Sequence, residues 1–501
     1  MIKLTLAEVA EAIGGQLLVA GQTAPASAAG QTAPDTEAGQ TASDNAAGLG
    51  VTGSVETDSR LVSAGSLFFA KPGEVTDGHL FVAKAAEAGA VASVVEHFVD
   101  DAGAHPQIVV ENVVLALAAL ASAVLEKVRA AGNIKVIGVT GSNGKTTTKN
   151  LLRAILSQVG PTVAPIESYN NEVGAPISVL KIDYETKFLV AELGAGGLGS
   201  IRYLAEMIQP DIGVLLKVGL AHVGEFGGVE TTAKIKGELL DVMAEQAARG
   251  HSNQLVANLD DGAVRGLVQG HPSLNVTWFG TSRDATYRAD NFEMTLAGTS
   301  FDLHLPAETA PSRVRLQILG EHHIMNALAA TAVADLVGVP HDKIIAALES
   351  VELAERWRMQ LLHRADGVTI INDAYNASPD SMKAALQTLA QLGRQGHRTI
   401  AVLGEMAELG EFSRTEHDAI GRLVVRYNID QLVVVGEAAR LIHMGASLEG
   451  SYDGESKFFE QASDAMAYLR EKLLAGDIVL VKSSKSANLR HLGDELMEVS
   501  A

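Results

Sequence analysis

The chain has 501 residues, 47% of them hydrophobic, which is enough material for about three domains at roughly 150 residues each. Cysteine is absent, so disulfides, thiolate zinc sites and thiol nucleophiles are excluded. The formal charge of −21 disfavours general binding to nucleic acid or to an anionic membrane.

The amino terminus predicts a short strand followed by an amphipathic helix. Glu8 and Glu11 stand where a secretory signal would need an apolar core. The longest apolar run, residues 113–125, is too short to span a bilayer and predicts a buried helix. We therefore expect a cytoplasmic protein without membrane insertion.

Residues 21–50 differ in composition from the rest of the chain. The tetrapeptide Gly-Gln-Thr-Ala begins at residues 21, 30 and 39, which makes a nine-residue repeat of small and polar side chains. Such a segment buries too little apolar surface to offset the entropy lost on ordering. We expect a disordered insertion, with a partner-binding repeat as the alternative.

The next 300 residues alternate between strand-like and helical runs. Strands predicted at 65–70 and 91–96 flank a helix near 80–89, and a helix at 113–131 leads into an apolar strand at 134–140. Further strand-like runs follow at residues 188–193 and 213–218. This alternation predicts a small amino-terminal α/β domain and a doubly wound central domain with a mostly parallel sheet.

A third block begins near residue 353 and predicts a Rossmann-like domain. Its four apolar strands, separated by helical segments, are residues 368–371, 399–403, 432–435 and 478–481. The predicted organisation is an α/β chain of three domains, at residues 1–110, 111–352 and 353–501.

The segment after the strand at 134–140 has the composition of a phosphate-binding loop. Glycines allow a tight turn with inward-pointing N–H groups, and the helix that follows adds its dipole. Lys145 would neutralise phosphate oxygens, and the Thr146 hydroxyl would bind magnesium. The strict pattern has glycine where Val139 stands, so an ordinary glycine turn is the alternative. The predicted nucleotide-binding residues are Thr140, Gly141, Ser142, Asn143, Gly144, Lys145, Thr146 and Thr147.

A second glycine-rich segment, residues 194–199, fits the G-x-G-x-x-G pattern of dinucleotide enzymes. That pattern requires an acid at the end of the next strand, whereas Asp211 opens it. We favour the first loop because it already accounts for a nucleotide.

Several short motifs along the chain together resemble the Mur ligase family. The longest are Asn-Asp-Ala-Tyr-Asn-Ala-Ser-Pro-Asp-Ser-Met from residue 372 and Gly-Glu-Met-Ala-Glu-Leu-Gly from residue 404. The shorter ones are Thr-Asp-Ser-Arg at 57–60, Asp-Gly-His at 77–79, Asn-Asn-Glu-Val-Gly at 170–174, Glu-Leu-Gly-Ala at 192–195, Ala-His at 221–222, Ala-Lys-Ile-Lys-Gly-Glu at 233–238, Gly-Glu-His at 320–322 with Asn326, and Arg358. The resemblance covers nearly all of the chain except residues 21–50.

The resemblance implies a ligase that uses ATP and Mg²⁺ to phosphorylate a peptide carboxylate, which an amine then attacks. The Tyr375–Asn376 pair is typical of the branch that adds a dipeptide, and the Asp-Asn-Pro-Arg motif of the diaminopimelate-adding branch does not occur in the sequence. The implied partners of a monomeric enzyme are UDP-N-acetylmuramoyl-tripeptide and D-alanyl-D-alanine, in peptidoglycan synthesis. The alternatives are a Mur-type ligase with a single amino acid as acceptor, a phosphate-loop ATPase or regulator without ligation, and a silent homologue that only binds the UDP-linked peptide.

The family pattern also implies roles for individual residues. The catalytic set is Lys145, Glu192, His222, Lys236 and Arg358. The magnesium ligands are Thr146, Glu192, His222 and Lys236, the last as a carbamate. The additional nucleotide contacts are Asn326, Arg358 and Asp373. The substrate contacts are Asp58, Ser59 and Arg60 for the UDP group, Asn170 and Asn171 for the peptide carboxylate, and Tyr375, Asn376 and Ser378 in the carboxy-terminal domain.

Each role has a plainer structural alternative. Glu192 could be a solvated acid at a strand end, Lys236 a solvated helix lysine and Arg358 a linker ion pair. The Asp-Ser-Arg segment could be a simple turn, and the two asparagines a loop cap. The sequence also departs from the family at residues 196–200, 217–220 and 482–485, and the last departure affects how the dipeptide would be held.

Overall fold

The computed structural model describes residues 1–19, 45–73, 76–132, 134–165, 169–219, 223–306, 308–352, 355–449 and 454–498. Two compact units divide the chain. The first consists of Met1–Ile137, Gly160–Gly194 and Tyr203–Pro210, and the second of Gly138–Val159, Ala195–Arg202 and Asp211–Ala501. Within the described ranges, no helix is both long and apolar enough to cross a membrane.

The first unit contains a five-stranded sheet. Its strands in spatial order are Gln16–Leu18, Gln107–Val109, Ala92–Val95, Leu67–Phe69 and Val55–Glu56. The first pair is antiparallel and the others are parallel. Helix Val82–Glu87 buries Val82 and Ala85 in a cluster with Phe68 and Val95, which confirms the predicted strand–helix–strand order.

The insertion ends earlier than the sequence predicts. Helix Leu6–Ile13 starts with a capping box between Thr5 and Glu8, and strand Leu4–Thr5 pairs with Gly50–Val51. Ala46 is buried, and the amide of Leu6 donates to the carbonyl of Leu49. The expected loop limit at residue 50 is therefore wrong, because Gly50 pairs with Thr5 and Leu49 accepts a hydrogen bond from the first residue of this helix. The repeat itself, residues 20–44, lies outside the described residues.

The first unit also contains the long helix Val113–Ala131, which has the predicted bounds. The Asn112 side chain caps this helix by accepting from the amide of Leu115. Strand Phe188–Glu192 runs parallel to Thr162–Val163, and helix Gly174–Val179 lies between them in sequence. Strand Lys135–Thr140 and helix Ser200–Ile208 each begin in one unit and end in the other.

The second unit contains six strands of a mixed sheet. In spatial order they are Ser312–Leu316, Gly298–His304, Tyr287–Thr295, Val276–Gly280, Gln254–Asn258 and Ile212–Leu215. The first three are antiparallel and the remaining pairs are parallel. The amide of Leu216 donates to the carbonyl of Thr140, so strand Lys135–Thr140 ends next to this sheet. The helices of this region are Lys145–Leu156, Val223–Phe226, Val229–Ala248, Gly262–Gln269, His322–Leu336 and His341–Ser350.

A six-stranded sheet forms the carboxy-terminal part of the second unit. Its spatial order is Gln360–His363, Thr369–Asn372, Ile478–Lys482, Thr399–Leu403, Gln431–Val435 and Glu455–Phe459. All pairs are parallel except the first. The helices are Pro379–Gly393, Ser413–Arg426, Arg440–Leu448, Ala462–Lys472 and Leu489–Glu495.

Both faces of this carboxy-terminal sheet are covered. Ile370 lies in one apolar cluster and its neighbour Ile371 in another, because successive strand residues point to opposite faces. The Rossmann-like arrangement and the α/β class with mostly parallel sheets are confirmed. The domain boundaries near residues 110 and 352 stay predictions.

Candidate active site

The predicted phosphate loop connects strand Lys135–Thr140 to helix Lys145–Leu156. Gly141 has φ 153° and Gly144 has φ 88°, backbone conformations that favour glycine. A Cβ on Gly144 would lie 2.2 Å from Oδ1 of Asn326, so the position also lacks space for a side chain. The Lys145 ammonium donates to the carbonyl of Gly141 at 2.8 Å. These features fit a loop whose backbone N–H groups and lysine face a phosphate chain.

Helix His322–Leu336 brings Asn326 against this loop. Asn326 is buried, its Oδ1 accepts from the Thr148 hydroxyl at 3.4 Å, and its Nδ2 lies 3.3 Å from Nδ1 of His323. Burial holds the pKa of His323 well below its usual range, and the neighbouring His322 and Arg358 act in the same direction. The structure therefore places Asn326 beside the loop, as its predicted nucleotide contact requires.

Arg358 lies in a turn with an unusual backbone. Trp357 and Met359, on either side of it, have φ values of 60° and 48°, and such a conformation costs roughly 1–3 kcal/mol for a residue other than glycine. Two hydrogen bonds hold the turn, one from the amide of Tyr375 to the carbonyl of Trp357 and one from the amide of Met359 to Oδ1 of Asp373. The Arg358 guanidinium lies 4.2 Å from the centre of the Tyr375 ring. The turn thus brings together Arg358, Asp373 and Tyr375, three of the predicted site residues.

A buried ion pair supports this turn. The Lys482 ammonium donates to Oδ2 of Asp373 at 2.6 Å and to the carbonyl of Asn376 at 3.1 Å. Both side chains are largely buried, and they stand at the carboxyl ends of adjacent parallel strands. Burial lowers the pKa of His322 to about 4, and the charges of Asp373 and Lys482 also act on it. Lys482 is missing from the predicted site, although a lysine that closes an apolar strand is a sequence signal for a buried partner.

The carboxy-terminal part meets the phosphate loop at the start of helix Pro379–Gly393. Ser378 caps this helix together with Ser381, and the Ser378 hydroxyl donates to Oδ1 of Asn143 in the loop at 3.4 Å. Asn376 uses its own Oδ1 to accept from the amide of Ala377. The stretch that contains the predicted acceptor-binding residues is therefore connected directly to the predicted nucleotide site.

In the first unit, Glu192 is a buried carboxylate at the end of a strand. It is 1% exposed, and its Oε1 accepts from Nδ2 of Asn170 at 2.7 Å. Its Oε2 is buried without a hydrogen-bond partner in the described part of the chain. A buried carboxylate oxygen needs a donor or a cation, so this geometry fits a magnesium ligand and excludes a solvated acid.

The neighbouring Asn171 and the segment around Asp58 have simpler structural roles. Oδ1 of Asn171 accepts from the amides of Val173 and Gly174, just before helix Gly174–Val179. Arg60 binds Asp58 through Nε, Nη2 and its amide, and these hydrogen bonds lower the pKa of Asp58 to about 2. The guanidinium of Arg60 is largely exposed and available to an anionic group. A role in UDP binding stays a prediction for Asp58, Ser59 and Arg60.

Helix Val229–Ala248 carries Lys236, which is 2% exposed. This burial contradicts the alternative of a solvated helix lysine, whereas Lys234, two residues earlier, is exposed. His222, the other predicted ligand in this region, lies outside the described residues. Among the described residues, no group of three or more His, Asp or Glu side chains is arranged to hold a metal.

Glu238, on the same helix as Lys236, contacts the second glycine-rich segment through its carboxylate. Its carboxylate accepts from the amides of Gly199, Ile201 and Arg202, at 2.6, 3.1 and 3.0 Å. This anion sits at the amino terminus of helix Ser200–Ile208, where a dinucleotide enzyme would bind pyrophosphate. The structure thus disfavours the dinucleotide alternative and identifies a residue that the sequence reasoning missed.

Comparison with known proteins shows which protein family this sequence matches. Residues 52–125 match the model described as Mur ligase family, catalytic domain, residues 139–334 the Mur ligase middle domain, and residues 357–485 the Mur ligase, glutamate ligase domain. UDP-N-acetylmuramoyl-tripeptide–D-alanyl-D-alanine ligase of Mycobacterium bovis is 40% identical over 99% of this chain and 98% of its own.

Two solved structures are similar over most of the chain. MurF from Acinetobacter baumannii has a TM-score of 0.83 at 29% identity, with 99% of both chains covered. MurF ligase from Thermotoga maritima, solved in complex with ADP, has a TM-score of 0.77 at 26% identity, with 90% of this chain and 98% of that chain covered.

Proposed function

The chain belongs to the Mur ligase family, and we propose that within it the chain joins D-alanyl-D-alanine to UDP-N-acetylmuramoyl-tripeptide at the expense of ATP. The product is the UDP-N-acetylmuramoyl-pentapeptide used in peptidoglycan synthesis. We further propose that it acts as a monomer in the cytoplasm, where nucleotide-linked precursors are made.

One observation carries this proposal. The hydroxyl of Ser378, in the stretch typical of dipeptide-adding ligases, contacts Asn143 in the phosphate loop at 3.4 Å. An enzyme that only hydrolyses ATP has no need for an acceptor site next to its phosphate loop. A ligase does, because the amine must reach the activated carbonyl while that carbonyl is still close to the nucleotide.

The chemistry begins with a carboxylate, which is a poor electrophile because its leaving group would be oxide. A carboxylate oxygen of the tripeptide attacks the γ-phosphorus of ATP, the bond to the β-phosphate oxygen breaks, and ADP leaves. The neutral amine of D-alanyl-D-alanine then attacks the carbonyl carbon of the acyl phosphate. The carbon–oxygen bond breaks, inorganic phosphate leaves, and the nitrogen gives up one proton.

The residues of this chain lower the electrostatic barrier of the first step, in which two anions approach each other. Lys145 faces the phosphate loop, and Arg358 is presented by its strained turn next to Asp373. Magnesium, when bound, supplies further positive charge to the phosphate oxygens. In the second unit, Thr146 would offer its hydroxyl as a ligand. In the first unit, Glu192 would offer its buried Oε2 as a metal ligand.

We also propose that Lys236 carries a carbamate and serves as a magnesium ligand. A carbamate is an anion with hard oxygen atoms, whereas an ammonium would repel the metal. Carbamylation requires a neutral amine, which burial favours. Lys236→Ala should abolish ligation, and a small carboxylic acid should partly restore it. Lys234→Ala is the matched control on the exposed face of the same helix, and equal rates for both variants would contradict the carbamate.

The proposed function is tested by incubating the protein with ATP, Mg²⁺, UDP-N-acetylmuramoyl-tripeptide and D-alanyl-D-alanine. Mass spectrometry should detect the pentapeptide, and phosphate release should require both peptide substrates. D-Alanine in place of the dipeptide tests for a ligase with a single amino acid as acceptor. Phosphate release that is equal without any acceptor would favour a hydrolase instead.

A further inference from the structure

We propose that Lys217 is a second phosphate-binding cation, which Asp380 holds beside the phosphate loop and which moves to the terminal phosphate when ATP binds. The inference rests on the proposed function, since it assigns a further residue to the same nucleotide site. It concerns one of the positions where this sequence departs from the family pattern.

The backbone of Lys217 is part of the wall of the phosphate loop. Its carbonyl accepts from the amide of Ser142 at 2.7 Å. A Cβ on Gly141 would lie 3.1 Å from the backbone nitrogen of Lys217 and 3.3 Å from the carbonyl oxygen of Lys217. The side chain of Lys217 therefore starts within a few ångströms of the first residues of the loop.

The ammonium of Lys217 is paired with a carboxylate on the carboxy-terminal part. Its Nζ lies 3.4 Å from Oδ1 of Asp380, in the first turn of helix Pro379–Gly393. The Lys217 side chain remains 45% exposed, so the pair is open to solvent. The positive charge of Lys217 also acts on His322, whose helix carries Asn326 against the loop.

The Asp380 carboxylate lies against Gly219, whose backbone is held by the Ser142 hydroxyl of the phosphate loop. The Ser142 hydroxyl accepts from the amide of Gly219 at 2.8 Å and donates to the carbonyl of Gly219 at 3.3 Å. A Cβ on Gly219 would lie 2.2 Å from Oδ2 of Asp380, so the glycine leaves just enough room for the carboxylate. The loop, the segment after strand Ile212–Leu215 and the start of helix Pro379–Gly393 thus meet next to the solvent-exposed Lys217 ammonium.

The charges decide where this ammonium goes when ATP is bound. A long, solvent-exposed pair with one carboxylate is weak, whereas a polyphosphate presents several charges and strong acceptors to the same cation. The terminal phosphate is the group that must pass to the peptide carboxylate, next to the part of the chain that carries Ser378. Lys217 lies between that part and the loop, which suits the terminal phosphate rather than the nucleoside.

The test measures binding of a non-hydrolysable ATP analogue and of ADP by calorimetry, with Mg²⁺ present, for the full chain. Lys217→Met should weaken binding of the analogue by about 10- to 100-fold, the range expected for one charged hydrogen bond, and should change ADP binding much less. Lys217→Arg should retain most of the affinity. Lys343→Met, which removes an exposed lysine from helix His341–Ser350, is the charge control and should bind both nucleotides like the wild type.

Asp380→Asn separates this proposal from a purely structural ion pair. If Asp380 competes with the nucleotide, its removal should tighten binding of the analogue, by up to about 5-fold. If the pair only fastens the helix to the loop, Asp380→Asn and Lys217→Met should weaken binding alike, and the proposal is overturned. Unchanged binding in Lys217→Met would also overturn it. A wild-type protein that binds the analogue but forms no pentapeptide would refute the ligase function alone, and the variant comparison would still decide the role of Lys217.

Discussion

Removing the Glu238 carboxylate should destabilise the central region of the second unit. This side chain is 8% exposed and accepts hydrogen bonds from three backbone amides at the start of helix Ser200–Ile208. The hydrogen bond from Ile201 is buried, so Glu238→Ala leaves a buried N–H without a partner, at a cost of about 1–3 kcal/mol. The bonds from Gly199 and Arg202 are part-buried, and water can replace them. Loss of a helix cap costs about 0.5–2 kcal/mol. Both figures describe the loss of the same hydrogen bonds and are not added, so we expect Glu238→Ala to lower the free energy of unfolding by about 1–3 kcal/mol.

Tryptophan fluorescence during urea unfolding can follow this region by itself. The chain has two tryptophans, Trp278 in strand Val276–Gly280 and Trp357 in the carboxy-terminal part. In a Trp357→Phe background, the signal reports only the central sheet. Glu238→Gln should lose less stability than Glu238→Ala, because one carbonyl oxygen remains. Lys234→Ala, on the exposed side of the same helix, should stay within about 0.5 kcal/mol of the parent. A Glu238→Ala variant equally close to the parent would refute the capping role.

Two further predictions concern charged groups in the candidate site. Burial lowers the pKa of His322 from 6.5 to about 4. Between pH 6.5 and pH 4 the imidazole is therefore protonated in the unfolded state but neutral in the folded state. The free energy of unfolding falls as the pH drops through this range. Urea unfolding should show a loss of about 2 kcal/mol from this group between pH 7 and pH 5, which His322→Gln should remove, and an unchanged pH dependence in that variant would contradict the assignment. Lys482→Met should destabilise by about 3–5 kcal/mol because it leaves Asp373 largely buried without its cation, and the double variant with Asp373→Asn should lose less than the sum of the two single changes. Additive losses in denaturant unfolding would show that the two groups are not coupled.

The parts of the fold that were predictable have strong local signals. Strands Thr399–Leu403 and Ile478–Lys482 are buried on both faces and therefore read as continuous apolar runs. The antiparallel strands Tyr287–Thr295, Gly298–His304 and Ser312–Leu316 were not predicted. Their buried residues alternate with partly buried or exposed residues that are mostly polar or charged, so no apolar run identifies them. The insertion limit was missed because a two-residue strand, Gly50–Val51, is too short to show any period.

In the candidate site, too, the residues with a local sequence signal were predictable and the others were not. The phosphate loop was predictable because its glycines, lysine and threonines are consecutive in sequence. The partners that support the site are far apart along the chain. Lys482 binds Asp373 across 109 residues, and Glu238 caps a helix 36 to 39 residues before it. Such pairs depend on which strand ends and helices the fold brings together, and a single sequence carries no record of that.

The path of one oxygen atom tests the central claim most directly. UDP-N-acetylmuramoyl-tripeptide labelled with oxygen-18 in its terminal carboxylate is incubated with the protein, ATP, Mg²⁺ and D-alanyl-D-alanine, and the released phosphate is analysed by mass spectrometry. If the carboxylate attacks the γ-phosphorus and the amine then displaces phosphate, each pentapeptide formed should be matched by one phosphate that carries a labelled oxygen. Phosphate released without the label would mean that water, not the peptide carboxylate, attacks ATP, and would contradict the acyl phosphate mechanism.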